Sequence, residues 1–126
     1  MVSFDDLVLL DGVPIYQQIL RHVKLGIAGG TIAPGDALPS RRVVSALLGV
    51  NPNTVQRSLT ELEREGLVFS QRTAGRFVTE NENMIVNAKL RIADERVSEF
   101  LRSMKTLGCG RQEIISLIEG AKEDEE

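Results

Sequence analysis

Two short helical segments joined by only Gly49-Val50-Asn51 constrain this fold more than anything else in the sequence. Ser40 stands where a helix cap belongs, and the helix after it runs to Leu48 with Val44, Leu47 and Leu48 facing inward. Asn51 caps the next helix, with Pro52 at the first helical position, where a missing N–H costs nothing. The inward face of this second helix is Val55, Leu59 and Leu62, and Gly66 ends it. A three-residue link between two capped helices is the tight turn of a helix-turn-helix.

The flanking segments supply the rest of a domain. Pro14 opens a helix in which Ile15, Ile19, Val23 and Ile27 recur every four residues before Gly29-Gly30 stops it. Met1–Val13 reads as an edge strand or an N-terminal arm. Thr31–Pro39 reads as a loop with a Pro34-Gly35 turn and Leu38 plugging the core. Leu67–Gln71 and Arg76–Glu80 are strand-like runs around Arg72-Thr73-Ala74-Gly75, which predicts a hairpin. From Asn81–Asn83 onward a long helix carries Val86, Leu90, Ala93, Val97, Phe100, Met104 and Leu107 at alternating spacings of four and three, a heptad seam. Gly108 breaks it, and Ile114, Leu117, Ile118 and Ala121 mark a last short helix. The expected architecture is α+β: a winged helix-turn-helix domain over residues 1–80, then a helical dimerisation region over 81–126 ending in an acidic, solvated tail. A seam of three heptads needs a surface to cover it, and a second protomer suits it better than the last helix alone.

Composition narrows the function. The chain of 126 residues is 42% hydrophobic and 26% charged, ordinary for a globular protein. No apolar run approaches the roughly 20 residues of a membrane span, and Met1–Leu10 holds two Asp and no basic residue, unlike a secretory leader. The single Cys109 excludes an internal disulfide and any cysteine-cluster zinc site, so a reducing cytoplasm is the expected location. The net charge of −3 hides a local excess of the other sign. Ser40–Phe77 carries six Arg against three Glu, a net of +3.

Two constellations point to DNA. On the outward face of the second turn-linked helix, Asn51, Asn53, Thr54, Gln56, Arg57 and Thr60 are all polar, and five of the six are amides or hydroxyls rather than the Glu and Lys of a merely solvated face. Such groups can match base edges in a major groove. Arg41 and Arg42 begin the preceding helix, where backbone N–H groups also favour phosphate. Arg72 and Arg76 flank the hairpin tip, so a wing built from it would reach the backbone or minor groove of the same duplex.

The order of these motifs resembles the GntR family of bacterial transcription regulators. The residues that carry the resemblance are Pro14-Ile15-Tyr16, the run Gly30…Pro34-Gly35…Leu38-Pro39-Ser40-x-Arg42, then Leu48-Gly49-Val50-Asn51-x-Asn53-Thr54-Val55, Leu62-Glu63-x-Glu65-Gly66-Leu67 and Gly75-x-Phe77-Val78. They span residues 14–78, and the short helical C-terminus resembles the YtrA-type branch, which lacks a large effector domain. The resemblance implies a homodimeric repressor acting on two-fold operators, often of genes for membrane transporters. It implies DNA contacts by Arg42, Asn51, Asn53, Thr54 and Gln56, and contact with backbone or minor groove by the wing around Arg72, Thr73, Gly75 and Arg76. Three positions depart from the family pattern: Pro52 where several relatives carry a basic base-reading residue, Thr73 where a wing glycine is common, and Arg76 where a small hydroxyl residue is usual.

Catalysis is not expected. His22, the only histidine, lies on a polar part of its helix and reads as a surface residue. Cys109 sits between two glycines with no basic neighbour in sequence, so it reads as a half-buried small residue rather than a nucleophile. The glycines match no phosphate loop, the carboxylates of Glu61–Glu65 are spread round a helix, and no metal or cofactor is implied. Two other readings stay open at this point. One is a winged-helix module that binds a protein through its polar helix. The other is a ligand-responsive switch with a small effector between the C-terminal helices, where the sequence shows no convergent polar set that would name the ligand.

Overall fold

The structure is a computed structural model that describes residues 1–123. The Asp124–Glu126 part of the expected acidic tail lies outside the described residues. The elements in chain order are α1 (Ile15–Gly29), β1 (Ala37–Leu38), α2 (Arg41–Leu48), α3 (Pro52–Arg64), β2 (Val68–Gln71), β3 (Gly75–Val78), α4 (Glu82–Thr106) and α5 (Arg111–Gly120). The backbone divides into two compact units, Met1–Lys89 and the chain from Leu90, with the division inside α4.

The first unit is a winged helix-turn-helix. Ser40 Oγ accepts from the Val43 N–H at 3.2 Å and Asn51 Oδ1 from the Asn53 N–H at 2.8 Å, so both turn-linked helices start at caps placed by their sequence. Between them Gly49 takes φ 68°, a left-handed conformation that spares it the crowding of a Cβ. The Gly49 and Val50 N–H groups both donate to the Ser45 carbonyl, and the Ser45 hydroxyl donates to the Val50 carbonyl, closing the turn. The core joins Ile19, Val23 and Ile27 of α1, Val44 of α2 and Val55, Leu59 and Leu62 of α3 to Leu38, Leu67, Val68 and Val78 of the sheet region. Burial of this order, roughly 1.5–3 kcal/mol per large apolar side chain, is what offsets the chain entropy of so small a unit.

Four expectations need correction. Leu47 does not face inward: it is 58% exposed, because an eight-residue helix buries one narrow stripe and Val44 with half-buried Leu48 fills it. Ile15 is likewise exposed, at the first position of α1, where the stripe has not yet met the core. The segment expected as loop contains β1, which pairs antiparallel with β3 and extends the hairpin to a sheet of order β1-β3-β2. His22 is not a free surface residue. Its ring is half-buried, lies 5.2 Å from the Phe4 ring, and its Nε2 is 2.8 Å from the Ser3 carbonyl oxygen.

Those last contacts belong to the N-terminal arm, which forms no strand of its own. Val2 and Phe4 are buried in the core, and the Val2 N–H donates to the Ala37 carbonyl at 2.8 Å. Gln18 of α1 holds the far end of the arm. Its Oε1 accepts from the Leu10 N–H at 2.8 Å, while its Nε2 donates to the Leu10 carbonyl at 2.8 Å and the Val13 carbonyl at 2.9 Å.

Asn81 caps α4 by accepting from the Asn83 and Met84 N–H groups. Along this helix the heptad positions Val86, Leu90, Ala93, Val97 and Phe100 are exposed and Met104 is half-buried, while Leu107 is exposed in the turn just past its end. Arg91, Glu95, Ser98 and Arg102 line the other side, so the helix is amphipathic with its apolar side facing water in a single chain. In the second unit Ile114 of α5 is buried, while Leu117 and Ile118 are exposed. No helix among the described residues is long and apolar enough to cross a membrane.

Candidate nucleic-acid interface

The face of α3 opposite its buried stripe carries the sequence-predicted polar set. Asn51 and Asn53 are exposed at its start, Thr54 and Gln56 are half-buried in the first turns, and Arg57 is exposed. Asn51 is committed through Oδ1 to the helix cap, which leaves its Nδ2 for other partners. Gln56 Nε2 donates to Thr60 Oγ1 at 3.1 Å. The guanidinium carbon of Arg57 lies over the Tyr16 ring, 3.7 Å from its centroid, which holds the guanidinium near the start of α1. Ser58, completely buried on the next position, donates to the Tyr16 carbonyl at 2.8 Å and so ties α1 to α3 beneath that stack.

The other arginines divide into two kinds. Arg41 and Arg42 are exposed in the first turn of α2, and Arg72 is exposed at the wing tip. Among the described residues none of these three is in an ion pair, so each keeps its charge available to an anion. Arg76 differs. The β2–β3 register sets it opposite Ser70, two residues from Val78 on the same face of the sheet, which is the face turned to the core. There its Nε donates to Glu63 Oε1 at 2.6 Å, and Ser70 Oγ donates to the same oxygen at 2.7 Å. Hydrogen bonding from Arg76 holds the Glu63 carboxyl below the ordinary glutamate range, against the opposing effect of burial and with help from Ser70.

The wing tip is strained. Thr73 has φ 70°, the one non-glycine residue with positive φ among the described residues, and Gly75 has φ 99°. The Ala74 N–H closes the turn onto the Gln71 carbonyl at 3.1 Å.

Sequence reasoning placed the helix and wing residues on their elements but missed Glu63, Ser70 and Tyr16. Their signal is visible only once strand register and helix packing are known, since Glu63 and Arg76 lie thirteen residues apart on different elements. Outside this region, burial and then the Glu113 carboxylate push the Cys109 thiol up, which disfavours its thiolate form. No cluster of metal-ligating side chains occurs among the described residues.

Comparison with known proteins gives this geometry a family. The model of "Bacterial regulatory proteins, gntR family" matches residues 15–78. The chain is 36% identical over 109 residues to the uncharacterized HTH-type transcriptional regulator YhcF of Bacillus subtilis, covering 86% of this chain and 88% of that one. It is 36% identical over 89 residues to the HTH-type transcriptional repressor YtrA of the same organism, covering 70% and 68%. A GntR family transcriptional regulator from Listeria monocytogenes superposes with a TM-score of 0.82 at 32% identity, over 90% of this chain and 100% of that one. These relatives are transcription regulators and not enzymes. With its winged helix-turn-helix and its family match in register with every motif from α1 to β3, the chain belongs to the GntR family of bacterial transcription regulators, in the YtrA-like branch.

Proposed function

We propose that the chain acts in the cytoplasm as a homodimeric, sequence-specific repressor of a bacterial operon. The observation that carries the reading is the division of α3: its apolar stripe is fully buried, while its N-terminal end presents Asn51, Asn53, Thr54 and Gln56 outward. In this reading the N-terminal end of α3 enters a major groove and these amides and hydroxyls meet base edges. Arg41 and Arg42 bind phosphate beside the start of α2, Arg57 lies alongside, and the wing residues Arg72, Thr73 and Gly75 lie on backbone or minor groove. The repressor role is supported by the YtrA relative, an HTH-type transcriptional repressor.

The dimer is supported by the water-facing seam Val86, Leu90, Ala93, Val97, Phe100, Met104 and Leu107, which a second copy would bury in pairs. Two copies related by a two-fold axis suit an operator with two half-sites.

Selection of bound duplexes from a random pool, followed by titration at rising salt, tests this function. A specific two-fold site and a steep fall of affinity with salt are expected, because each phosphate neutralised releases counterions. Replacing Arg42 or Arg72 with Ala should make the logarithmic salt slope shallower by about two per dimer and weaken all duplexes alike. A pool that stays random, with a shallow salt slope, would instead favour a winged-helix module that binds protein.

A further inference from the structure

Gln56 and Arg76 meet in a way that neither residue's own element explains. Arg76 Nη2 lies 3.5 Å from Gln56 Oε1, at the outer limit of a hydrogen bond, while its Nε is anchored on Glu63 at 2.6 Å. On its other side the Gln56 amide donates to Thr60 Oγ1. A glutamine amide can turn over about its last bond, exchanging acceptor for donor with almost no change of shape. The Thr60 hydroxyl both donates and accepts, so it satisfies either orientation. The guanidinium of Arg76 has only donors, so it accepts one orientation alone, the one with Oε1 toward it. The anchor is firm: Ser70 and Arg76 both donate to one Glu63 oxygen, and the Arg76 side chain is 25% exposed.

We propose that Arg76, held by Glu63, determines which base Gln56 selects, by fixing which end of the amide is presented to the groove. This rests on the reading of α3 as the helix that reads bases. Base pairs differ in the major groove by the order of donors and acceptors on their edges. An amide fixed one way round matches one order, whereas an amide free to turn over matches both. Arg76 is then a positioning residue, carried by the wing but acting through the helix, and Glu63 is the post that holds it. The wing and the recognition helix thereby specify one base together.

Selection from a random duplex pool with the parent, Gln56→Ala, Arg76→Met and Glu63→Gln separates the possibilities, with a thermal melt of each variant as the control for folding. Gln56→Ala should erase the preference at one position of each half-site. Arg76→Met should reduce discrimination at that same position on the order of tenfold, leaving the others intact. Glu63→Gln should relax the same position more weakly than Arg76→Met, since it removes the carboxylate charge that anchors Arg76 while leaving a neutral acceptor oxygen in its place. If Arg76→Met instead weakens every sequence equally with a shallower salt slope, the guanidinium sits on phosphate and the relay is wrong. An unchanged selection profile in Arg76→Met and Glu63→Gln also overturns it, while Gln56→Ala still defines the base-reading position. A parent protein that enriches no sequence overturns the base-reading role of α3, and the relay with it.

Discussion

Thr73 pays a conformational cost at the wing tip. A β-branched side chain at φ 70° crowds its own backbone, a penalty on the order of 1–2 kcal/mol for non-glycine residues in the left-handed region. Thr73→Gly should relieve it and raise stability by about 1 kcal/mol, less than the full penalty because glycine also loosens the unfolded chain. Chemical denaturation of the two proteins measures this, and a fall in stability would mean that the hydroxyl holds the turn. Glu63 makes a second prediction at the same scale. Its carboxyl is depressed in the folded protein, so it stabilises the fold above its unfolded pKa and loses that contribution as pH falls through the depressed value. Glu63→Gln should therefore cost about 1 kcal/mol or less near neutral pH, given the partly solvated pair, and the gap to the parent should close toward acid. Stability curves against pH that stay parallel would rule the pair out as the cause. Arg76 shows where sequence reading stopped: its place beside the wing tip was legible, but its direction required knowing that Ser70 and Val78 share its face.

Elements were legible in proportion to how regularly they repeat. The caps at Ser40 and Asn51, and the buried stripe of α3, follow from residue type and helical period, and the structure shows them as expected. β1 was invisible because two residues carry no period, and it exists only because β3 offers it an edge. Sequence left Met1–Val13 open between an edge strand and an N-terminal arm for a similar reason, and the structure shows the arm. It has no regular hydrogen bonding of its own and is fixed by Gln18, whose amide substitutes for a strand partner at Leu10 and Val13. Gln18→Ala should cost about 1–2 kcal/mol, net of water replacing some of these exposed bonds. The clearest signature is faster hydrogen exchange at the Leu10 amide with the α3 amides unchanged. Equal acceleration throughout the unit would show that the arm is not an independent element.

At the scale of the whole molecule, the exposed seam of α4 is the surface that the proposed dimer would cover. Val97 is 55% exposed and Phe100 40%, apolar groups that a lone chain leaves in water. Phe100→Glu would set two carboxylates against each other in the proposed dimer, an arrangement tolerated only by protonation or escape to solvent. The variant should sediment as a monomer at micromolar concentration with its winged unit folded, and should bind one half-site weakly because the tether between reading heads is lost. If parent and variant both sediment as monomers, or both as equally strong dimers, the seam serves another purpose. The heptad spacing was plain in the sequence, but spacing alone does not say whether the stripe is covered from within the chain.

The two-residue strand β1 also fixes an order of events in time. Gln71 and Gly75 close the wing over a few residues, whereas Ala37 must find Phe77 forty residues along the chain, with both turn-linked helices between them. Closing the longer loop carries the greater entropic cost, and it is recovered only when α2 and α3 are already packed. The hairpin should therefore form early and the third strand last, locking Val2 and Val78 onto the Ala37 and Asp36 carbonyls as it does so. In pulse-labelled refolding, protection of the Val2 and Val78 amides should lag behind that of the hairpin, making the closure of the arm the final step toward a competent reading head.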